Sequence, residues 1–437
     1  MNYDIIVVGS GPGGYTAAFR TAQLGKKVAI IEKDEVGGTC LNRGCIPTKT
    51  IHASTKLFSK LKRADQFGIN IDKASIDLSK VIDRKNRIVN QLKKGLEYLF
   101  KENKIDLVRG EAKLNGPGQV LVNDQVYEAP RMILATGSTI PQYPAFKIDE
   151  KKVFSSNGIL DLRAIPRSIA VIGAGAIGVE MACIFNSLGS MVTLFEMMPN
   201  ILPLEDLEVS KALEQSLTKK GIEVKTNTSL KEIGNHEIAL VSIGRKLNTE
   251  GFEKIGLVME KGKVKVNERM QTNFPNVYAI GDIAGKYMFA HTASREGIVA
   301  AENVCGKAAR MDHHAVPRCT YSEPAVASVG MTEDESKASH GNIKVGKFPF
   351  SASSKSLIED ERDGFIKVVV DHSDKVLGIH ILGGNATEII GEAALAINKG
   401  MKVEEIISTI HAHPTVYESI GEAAENVLKQ AISIINK

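Results

Sequence analysis

The chain has 437 residues, of which 43% are apolar and 24% are charged, and this composition excludes the collagen-like, disordered and disulfide-stapled classes. Its length exceeds that of one ordinary domain, so we expect about three domains. The formal net charge is only +4, whereas a dedicated nucleic-acid-binding protein usually carries a strong basic bias. We therefore expect a globular protein with no nucleic-acid partner.

The cysteine content and the apolar runs indicate the compartment. The five cysteines are too few, and odd in number, for a secreted disulfide framework. The N-terminus passes directly into a strand-like run, without the basic and apolar regions of a signal peptide. The longest uncharged apolar stretch, 169–179, is too short to span a bilayer. We expect a cytoplasmic protein with no export signal and no membrane insertion.

The first predicted unit is a strand, a glycine-rich turn and an amphipathic helix. Residues 5–8 are apolar and mostly β-branched, and they predict a buried strand. In the turn that follows, Gly9 permits a tight bend, Gly11 permits close approach to a pyrophosphate, and Gly14 permits close packing of helix on strand. Glu32 stands 18 residues beyond the last of these glycines, where a carboxylate can bind ribose hydroxyls. One such unit is weak support for a dinucleotide site, because glycine-rich turns are common.

A pair of cysteines, Cys40 and Cys45, lies at the start of the next helical stretch. In a regular helix their Cα atoms would be roughly 8 to 9 Å apart, beyond the usual disulfide range of about 4.4 to 6.8 Å. A disulfide therefore requires an irregular helix, which Gly44 and Pro47 permit. From these residues alone, three interpretations stay open: a redox pair, a metal site that lacks a second ligand pair, and two unrelated buried thiols.

The segments between the units predict helices and buried strands. Residues 51–101 predict two long helices with polar, lysine-rich faces, the second over Leu78–Phe100, and we assign them no binding role. The runs 132–137 and 277–282 predict buried strands that end in glycine and small or acidic residues. Because ligands bind at the carboxyl ends of strands in open α/β sheets, the ends of these runs are candidate binding positions.

The strongest signal in the chain is an internal repeat. At an offset of 164 residues, the run 169–172 aligns with 5–8, and Glu196 aligns with Glu32 without a gap. The glycines of the second copy are Gly173, Gly175 and Gly178, and the two helices are predicted over Tyr15–Leu24 and Val179–Leu188. Two units that agree in every part predict two bound dinucleotides in one chain.

The pattern changes after the second unit. Residues 221–245 contain one weak strand before a strand-like run at 241–245. From Arg318 onward, separated strands are followed by two helices, which is typical of a separate α+β domain. The strands are predicted over Val326–Val329, Phe365–Val370 and Val376–Ile381, and the helices over Ala386–Lys399 and Ser419–Ile435.

The order of these elements predicts an α/β protein with two Rossmann-like dinucleotide-binding domains and a C-terminal α+β domain. We expect the first nucleotide-binding domain in two parts, 1–145 and 263–314. The second nucleotide-binding domain is expected over 146–262, and the C-terminal domain over 315–437.

Five motifs, taken in chain order, resemble the flavoprotein disulfide reductases along essentially the whole chain. They are the first glycine-rich unit, Gly37-Gly38-Thr39-Cys40 followed by Cys45-Ile46-Pro47-Thr48-Lys49, the second glycine-rich unit, the run Tyr278–Asp282, and the run His411–Glu418. The resemblance implies that the first unit binds FAD and that the second binds NAD. It also implies that the C-terminal domain is a dimerisation domain, which joins two subunits into a homodimer.

The resemblance assigns roles to the residues around the cysteine pair. Cys40 and Cys45 would form the redox disulfide, with Cys40 as the interchange thiol and Cys45 beside the flavin. Lys49 would lie near the flavin and pair with Glu180. The positions that match other FAD contacts are Gly38, Thr39, Ala112, Ala135, Thr136, Gly137, Gly281, Asp282 and Ala290, and those that match further contacts in the NAD domain are Val224 and Gly244. We expect no metal site.

The resemblance places the catalytic base at His413 and its orienting carboxylate at Glu418. A lone histidine is more often structural, but thiol attack near neutral pH needs a base that titrates in that range. Pro414 restricts the backbone beside His413, and Glu418 follows within reach of a turn. His411 remains a competitor for the role.

Within the family, the chain is most similar to the members that oxidise dihydrolipoyl groups with NAD. NADPH-dependent members carry arginines after the second strand, whereas Glu196 is followed here by Met197 and Met198. Mercuric reductase and high-molecular-weight thioredoxin reductase carry a C-terminal cysteine or selenocysteine pair, whereas no cysteine follows Cys319. We expect a lipoyl-bearing acyltransferase (E2) or a lipoyl carrier protein as the partner. The alternatives are another disulfide reductase, such as glutathione or mercuric reductase, and a non-enzymatic module derived from a flavoprotein.

Overall fold

The computed structural model describes residues 2–230 and 234–436. The α-helices are α1 (Pro12–Gln23), α2 (Gly38–Arg43), α3 (Cys45–Leu61), α4 (Leu78–Glu102), α5 (Ala176–Leu188), α6 (Leu207–Lys219), α7 (Ala290–Val304), α8 (Glu333–His340), α9 (Ser354–Ile358), α10 (Ala386–Lys399), α11 (Val403–Ile407) and α12 (Glu418–Val427). The strands are β1 (Ile5–Val8), β2 (Val28–Glu32), β3 (Asp106–Arg109), β4 (Lys113–Gly116), β5 (Gln119–Val122), β6 (Gln125–Glu128), β7 (Arg131–Leu134), β8 (Ser138–Thr139), β9 (Val153–Ser155), β10 (Ser168–Ile172), β11 (Met191–Phe195), β12 (Glu223–Lys225), β13 (Ile238–Val241), β14 (Lys246–Leu247), β15 (Met259–Glu260), β16 (Lys263–Val264), β17 (Val277–Ala279), β18 (Arg318–Thr320), β19 (Ala325–Gly330), β20 (Ile343–Pro349), β21 (Phe365–Asp371) and β22 (Val376–Gly383).

The first sheet has five parallel strands in the order β17-β7-β1-β2-β3. Every residue of β1 and β2 is buried, as expected for a parallel sheet that is covered on both faces. Helices α1, α4 and α7 cover one face, and the antiparallel sheet β4-β5-β6 covers the other. Strand β17, from far along the chain, therefore completes the sheet that β1 begins.

The second sheet repeats this design with five parallel strands in the order β12-β11-β10-β13-β9. Ile169 pairs with Val192 just as Ile5 pairs with Val28, so the strand register repeats at the offset of the sequence repeat. The prediction of two matching strand-turn-helix-strand units is confirmed.

The strand predicted over 241–245 is wrong in its bounds, because β13 ends at Val241. Gly244 has a φ of +66°, a left-handed conformation that interrupts an extended strand. The chain then pairs antiparallel with β8 as the short strand β14. Among the described residues between Gly221 and β13, β12 is the only strand, and residues 231–233 of this segment lie outside the description.

The C-terminal part is a five-stranded antiparallel sheet in the order β18-β19-β22-β21-β20, and α10 and α12 share its apolar core. The prediction of an α+β unit is confirmed, but the last helix ends at Val427 rather than at Ile435. Lys429 adopts a left-handed φ of +59°. The carboxylate of Glu422 then accepts hydrogen bonds from the backbone N–H groups of residues 432 and 433, both at 3.1 Å, so the chain folds back on the helix.

The two helices predicted over 51–101 are α3 and α4, and α3 begins earlier, at Cys45. No helix in the described ranges is both long and apolar enough to cross a membrane. The three five-stranded sheets agree with the predicted fold class, whereas the exact domain boundaries stay predictions.

Candidate active site

The cysteine pair spans a break between two helices. Gly44, with φ −143° and ψ −112°, separates α2 from α3, so Cys40 lies on α2 and Cys45 is the first residue of α3. A side chain at position 44 would approach the carbonyl oxygen of Thr39 to 3.0 Å, which favours glycine at the break. Both cysteines are free thiols, and their side chains are hydrogen-bonded to each other. The helix irregularity that a redox pair requires is therefore present.

The two thiols differ in how readily they lose a proton. The hydrogen bond with Cys40, and after it the charge of Lys49 and a backbone N–H, lowers the pKa of Cys45, although burial opposes this shift. The same hydrogen bond, followed by burial, raises the pKa of Cys40. Both shifts therefore favour the thiolate form of Cys45 over that of Cys40 in a reduced pair.

An ion pair joins the cysteine helix to the helix of the second glycine-rich unit. Lys49 lies one turn beyond Cys45 on α3, and its Nζ donates to both carboxylate oxygens of Glu180 on α5 at 2.8 Å. The Glu180 side chain is only 6% exposed, so its charge requires such a partner. The pair therefore fixes one ammonium group beside Cys45.

The first glycine-rich turn presents an open helix N-terminus next to the cysteines. Gly9 has a φ of +98°, and a side chain on Gly9 or Gly14 would collide with backbone oxygen atoms. Gly11 is the N-cap residue of α1, without a capping side chain, and a Cβ there would meet no protein atom within 4 Å. At the start of α2, a Cβ on Gly38 would lie 2.7 Å from Gly11 Cα. Free N–H groups and open space fit a dinucleotide phosphate beside the redox pair.

Glu32 supports this turn from the end of β2. Its Oε2 accepts hydrogen bonds from the backbone N–H and the hydroxyl of Ser10 at 2.9 and 2.7 Å, and its Oε1 accepts from the Asp34 N–H at 2.9 Å. An ionised carboxylate has about four acceptor sites, so Glu32 keeps capacity for ribose hydroxyls. Asp34 also pairs with Arg43, which gives the arginine between the cysteines a partner outside the redox pair.

The carboxyl end of β7 supplies three of the residues expected to contact the cofactor, Ala135, Thr136 and Gly137. The Thr136 hydroxyl donates to the carbonyl oxygen of Asn248 at 2.7 Å, and the Asn248 side chain donates back to the carbonyl oxygen of Thr136 at 2.8 Å. The two segments therefore hold each other at the edge of the first sheet. Ala112 lies apart from them, between β3 and β4.

Gly281 and Asp282 follow the neighbouring strand β17. The Gly281 N–H donates at 2.7 Å to the carboxylate of Glu296, which is fully buried on α7. The Asp282 carboxylate accepts from the hydroxyl of Ser138, which accepts in turn from Arg245 Nε at 2.6 Å. These bonds fix the second strand end beside the first, while Ala290 begins α7 nearby in sequence.

The second glycine-rich turn has the same geometry as the first. Gly173 has a φ of +99°, and a Cβ there would lie 2.9 Å from the carbonyl oxygen of Ser242. Gly175 is the uncapped N-cap residue of α5, with no protein atom near its added Cβ, and a side chain on Gly178 would collide with the turn. The turn therefore fits a second dinucleotide phosphate.

Glu196 follows β11 as Glu32 ends β2. Its Oε2 accepts from the Ala174 N–H at 2.7 Å, and its Oε1 accepts from the Met198 N–H at 2.9 Å. The carboxylate is thus held at the turn with acceptor capacity remaining. Val224 lies in β12, which pairs with β11, and Gly244 lies in the left-handed turn after β13.

The two C-terminal histidines each pair with a carboxylate. His413 Nδ1 lies 2.8 Å from Glu418 Oε1, and the side chain of His413 is 72% exposed. His411 pairs with Glu392 at 2.8 Å but is only 11% exposed. Burial alone would raise the pKa of Glu418. Hydrogen bonds with the backbone N–H of Thr415 and with the imidazole side chain of His413 instead hold that pKa below its ordinary value. His413 is therefore the histidine that has both an orienting carboxylate and access to a second molecule.

Within the described chain, no hydrogen bond or ion pair joins His413 to Cys40 or Cys45. Among the contacts of the described residues, the base and the thiols that are expected to react together therefore do not meet within one subunit.

Two family models cover most of the chain. The model described as pyridine nucleotide-disulphide oxidoreductase matches residues 3–297, and the model of the dimerisation domain of these proteins matches residues 316–424. The chain belongs to the pyridine nucleotide-disulphide oxidoreductase family. The resemblance to the flavoprotein disulfide reductases is thereby confirmed, and the second match supports a homodimer.

Curated relatives of this pyridine nucleotide-disulphide oxidoreductase match it along nearly its whole length. The dihydrolipoyl dehydrogenase of Thermus scotoductus is 43% identical over 100% of this chain and 99% of the relative. That of Bacillus subtilis is 41% identical over 97% of each, and the mitochondrial protein of Pisum sativum is 38% identical over 99% of this chain and 92% of the relative. The Thermus alignment spans 460 residues, so that relative contains residues that this shorter chain lacks.

Solved structures of the family have the same fold. LpdA from Mycobacterium tuberculosis superposes with a TM-score of 0.89 at 25% identity, over 97% of this chain and 99% of LpdA. The HOCl-induced flavoprotein disulfide reductase RclA from Escherichia coli superposes with a TM-score of 0.87 at 25% identity, over the same shares. The fold class expected from the sequence is confirmed.

Several residues that hold the site of this pyridine nucleotide-disulphide oxidoreductase were not identified from its sequence. They are Ser10, Ser138, Arg245, Glu296 and Tyr321. Ser10 could have been found, since it lies inside the first glycine-rich motif and can donate to the carboxylate that ends β2. Ser138, Arg245 and Tyr321 each contact a residue more than 100 positions away in sequence. Glu296 lies 15 residues beyond Gly281, on the helix that follows, so only the fold reveals these four contacts.

Proposed function

We propose that this protein oxidises dihydrolipoyl groups and reduces NAD, which is the dihydrolipoyl dehydrogenase reaction. The observation that carries the proposal is the full-length match, at 38 to 43% identity, to relatives of that name. The asymmetric thiol pair beside an open glycine-rich turn supports it, because disulfide exchange needs one thiol to attack and another to leave as a stable thiolate.

Both turns fit a dinucleotide, on the grounds of their open helix N-termini and the acidic residues at their strand ends. FAD is assigned to the first turn because that turn lies beside the cysteine helix, and NAD is assigned to the second. Gly9, Gly11, Gly14 and Glu32 would hold FAD, and Gly173, Gly175, Gly178 and Glu196 would hold NAD. When bound, FAD accepts the electron pair of the thiols and transfers it as hydride to NAD.

The chain's own residues move the protons and make the disulfide exchange. In the oxidised enzyme Cys40 and Cys45 are joined, and His413 takes a proton at Nε2 from a substrate thiol while Glu418 holds Nδ1. The substrate thiolate attacks Cys40 Sγ, the Cys40–Cys45 bond breaks, and Cys45 leaves as a thiolate that Lys49 stabilises. The second substrate thiol then attacks the substrate sulfur bound to Cys40 and closes the substrate's own disulfide. Its proton ends on the departing Cys40 sulfur, which becomes a thiol, and the first proton remains on His413. The substrate is thereby oxidised by two electrons, and the cysteine pair is reduced by two.

The proposed partner is a lipoyl group carried by an acyltransferase (E2) or by a lipoyl carrier protein. The exposed His413 supports this proposal, because a base that serves a protein-bound substrate must be reachable from outside the subunit. A cytoplasmic location is proposed with it, on the ground that five cysteines are too few, and odd in number, for a secreted disulfide framework.

Steady-state kinetics with two substrate pairs tests the proposed function. Purified protein is assayed for NADH formation from NAD and dihydrolipoamide, and for NADPH-driven reduction of glutathione disulfide. We expect the first reaction to be faster by orders of magnitude. Faster reduction of glutathione disulfide would instead support the alternative enzyme class. The absence of both activities would support a non-enzymatic binding module.

A second prediction concerns the choice between NAD and NADP. A 2′-phosphate placed against Glu196 would be repelled by the carboxylate, so kcat/KM for NADP should be lower than for NAD by at least about tenfold. Glu196→Gln retains an acceptor oxygen for the Ala174 or Met198 N–H but removes the charge. We expect this variant to reduce the difference in kcat/KM between NAD and NADP. Equal kcat/KM values for the two nucleotides in the unmodified protein would contradict the role of Glu196.

A further inference from the structure

Tyr321 connects the C-terminal part of the chain to the cysteine site. It follows β18, and its backbone N–H donates to Glu180 Oε1 at 2.9 Å. The Lys49 ammonium group lies over its ring, with Nζ 4.5 Å from the ring centroid, within the range of a cation–π interaction. One residue therefore contacts both members of the ion pair that stands beside Cys45.

We propose that Tyr321 is a positioning residue that holds the Lys49–Glu180 pair in place beside Cys45. The Lys49 side chain is 31% exposed, and its flexible four-carbon stem lets the ammonium group turn toward solvent. The ring face of Tyr321 opposes that movement, while the Tyr321 N–H fixes the carboxylate to which Lys49 donates. Tyr321 does not itself react, and it acts on the thiolate through Lys49.

The ring is suited to this task because it stays neutral. Burial, and after it the charges of nearby acidic groups, raises the pKa of Tyr321 to about 12. Those acidic groups are Cys319, Glu388, Glu180 and Cys45. The groups that act on the charge of Cys45 are Cys40 of α2, Lys49 of α3 and Glu180 of α5. Among these groups Lys49 is the one cation, so displacing it removes the positive charge that favours the thiolate.

A pH titration of the thiolate tests the inference. The inference rests on the proposed redox role of the cysteines, but the titration needs no lipoyl substrate and no turnover. The two-electron-reduced holoenzyme is titrated, and the long-wavelength absorbance that a thiolate produces beside an oxidised flavin gives the apparent pKa of Cys45. We expect Tyr321→Leu to raise that pKa by about half a unit to one unit, and Tyr321→Phe, which keeps the ring, to leave it unchanged.

Further variants keep the outcome decisive. Tyr321→Met offers a second apolar replacement if Tyr321→Leu does not fold, and Tyr98→Leu, at a position 61% exposed on α4, controls for loss of a tyrosine elsewhere. In a Lys49→Gln background, Tyr321→Leu should cause no further shift, because the cation that the ring holds is gone. Alkylation of the reduced protein, followed by tryptic cleavage after Arg43, reports Cys40 and Cys45 on separate peptides even if the absorbance band is lost.

Two results would overturn the inference. One is the same titration in Tyr321→Leu as in the unmodified protein. The other is an equal shift in Tyr321→Phe and Tyr321→Leu, because the phenolic hydroxyl would then be the active part. Failure of the proposed function is distinguishable, since it would show as missing dihydrolipoamide activity with the thiolate titration intact.

Discussion

Cys45→Ser is expected to purify with bound FAD, to lose turnover by at least about a thousandfold, and to lack long-wavelength absorbance after two-electron reduction. The reason is that the hydrogen bond from Cys40, followed by the charge of Lys49, lowers the pKa of Cys45 and places the thiolate there. Cys40→Ser should lose turnover to a similar extent but retain the absorbance, because Cys45 and its ammonium neighbour remain.

The comparison of these two variants separates the roles of the thiols. Both remove the disulfide, so a difference between their spectra reports only which sulfur carries the negative charge next to the flavin. Cys305→Ser, at a half-buried position after α7, is the matched control and should keep both turnover and spectrum. A normal band in Cys45→Ser, or its loss in Cys40→Ser alone, would reverse the assignment.

The parts of the fold that the sequence predicts best are those in which local geometry dictates the residue. Gly9 and Gly173 can be predicted as turn residues because their left-handed backbone requires glycine. Since the same motif recurs at one offset, each copy supports the assignment of the other. The break between Cys40 and Cys45 is predictable for a similar reason, because a regular helix holds residues five apart beyond disulfide reach.

The features that the sequence does not predict depend on contacts between distant segments. The last helix looks continuous to Ile435 by composition, but the carboxylate of Glu422 accepts backbone N–H groups beyond its end and ends it early. Tyr321 lies 272 residues after the lysine that its ring contacts. No local pattern marks such a residue, because its function arises only when three helices and a strand end meet.

The base is expected to act across the dimer interface. His413 is 72% exposed and its Nδ1 is held by Glu418, so Nε2 is free to serve a thiol that its own subunit does not bring to it. A dimerisation domain carries this histidine. We therefore predict a composite site, with the cysteines of one subunit and His413 of the other.

Mixed dimers give the sharpest test of this arrangement. Cys45→Ser and His413→Gln subunits carrying different tags are co-expressed, and the heterodimers are isolated by sequential affinity steps. If the site is composite, one site of the heterodimer combines unmodified cysteines from one subunit with the unmodified histidine of the other, and about half of the normal kcat per dimer should return. If each subunit supplies its own base, both sites carry a lesion and no activity returns. Heterodimers as inactive as the two parent homodimers would therefore exclude the composite site, whatever the spectra of the single variants show.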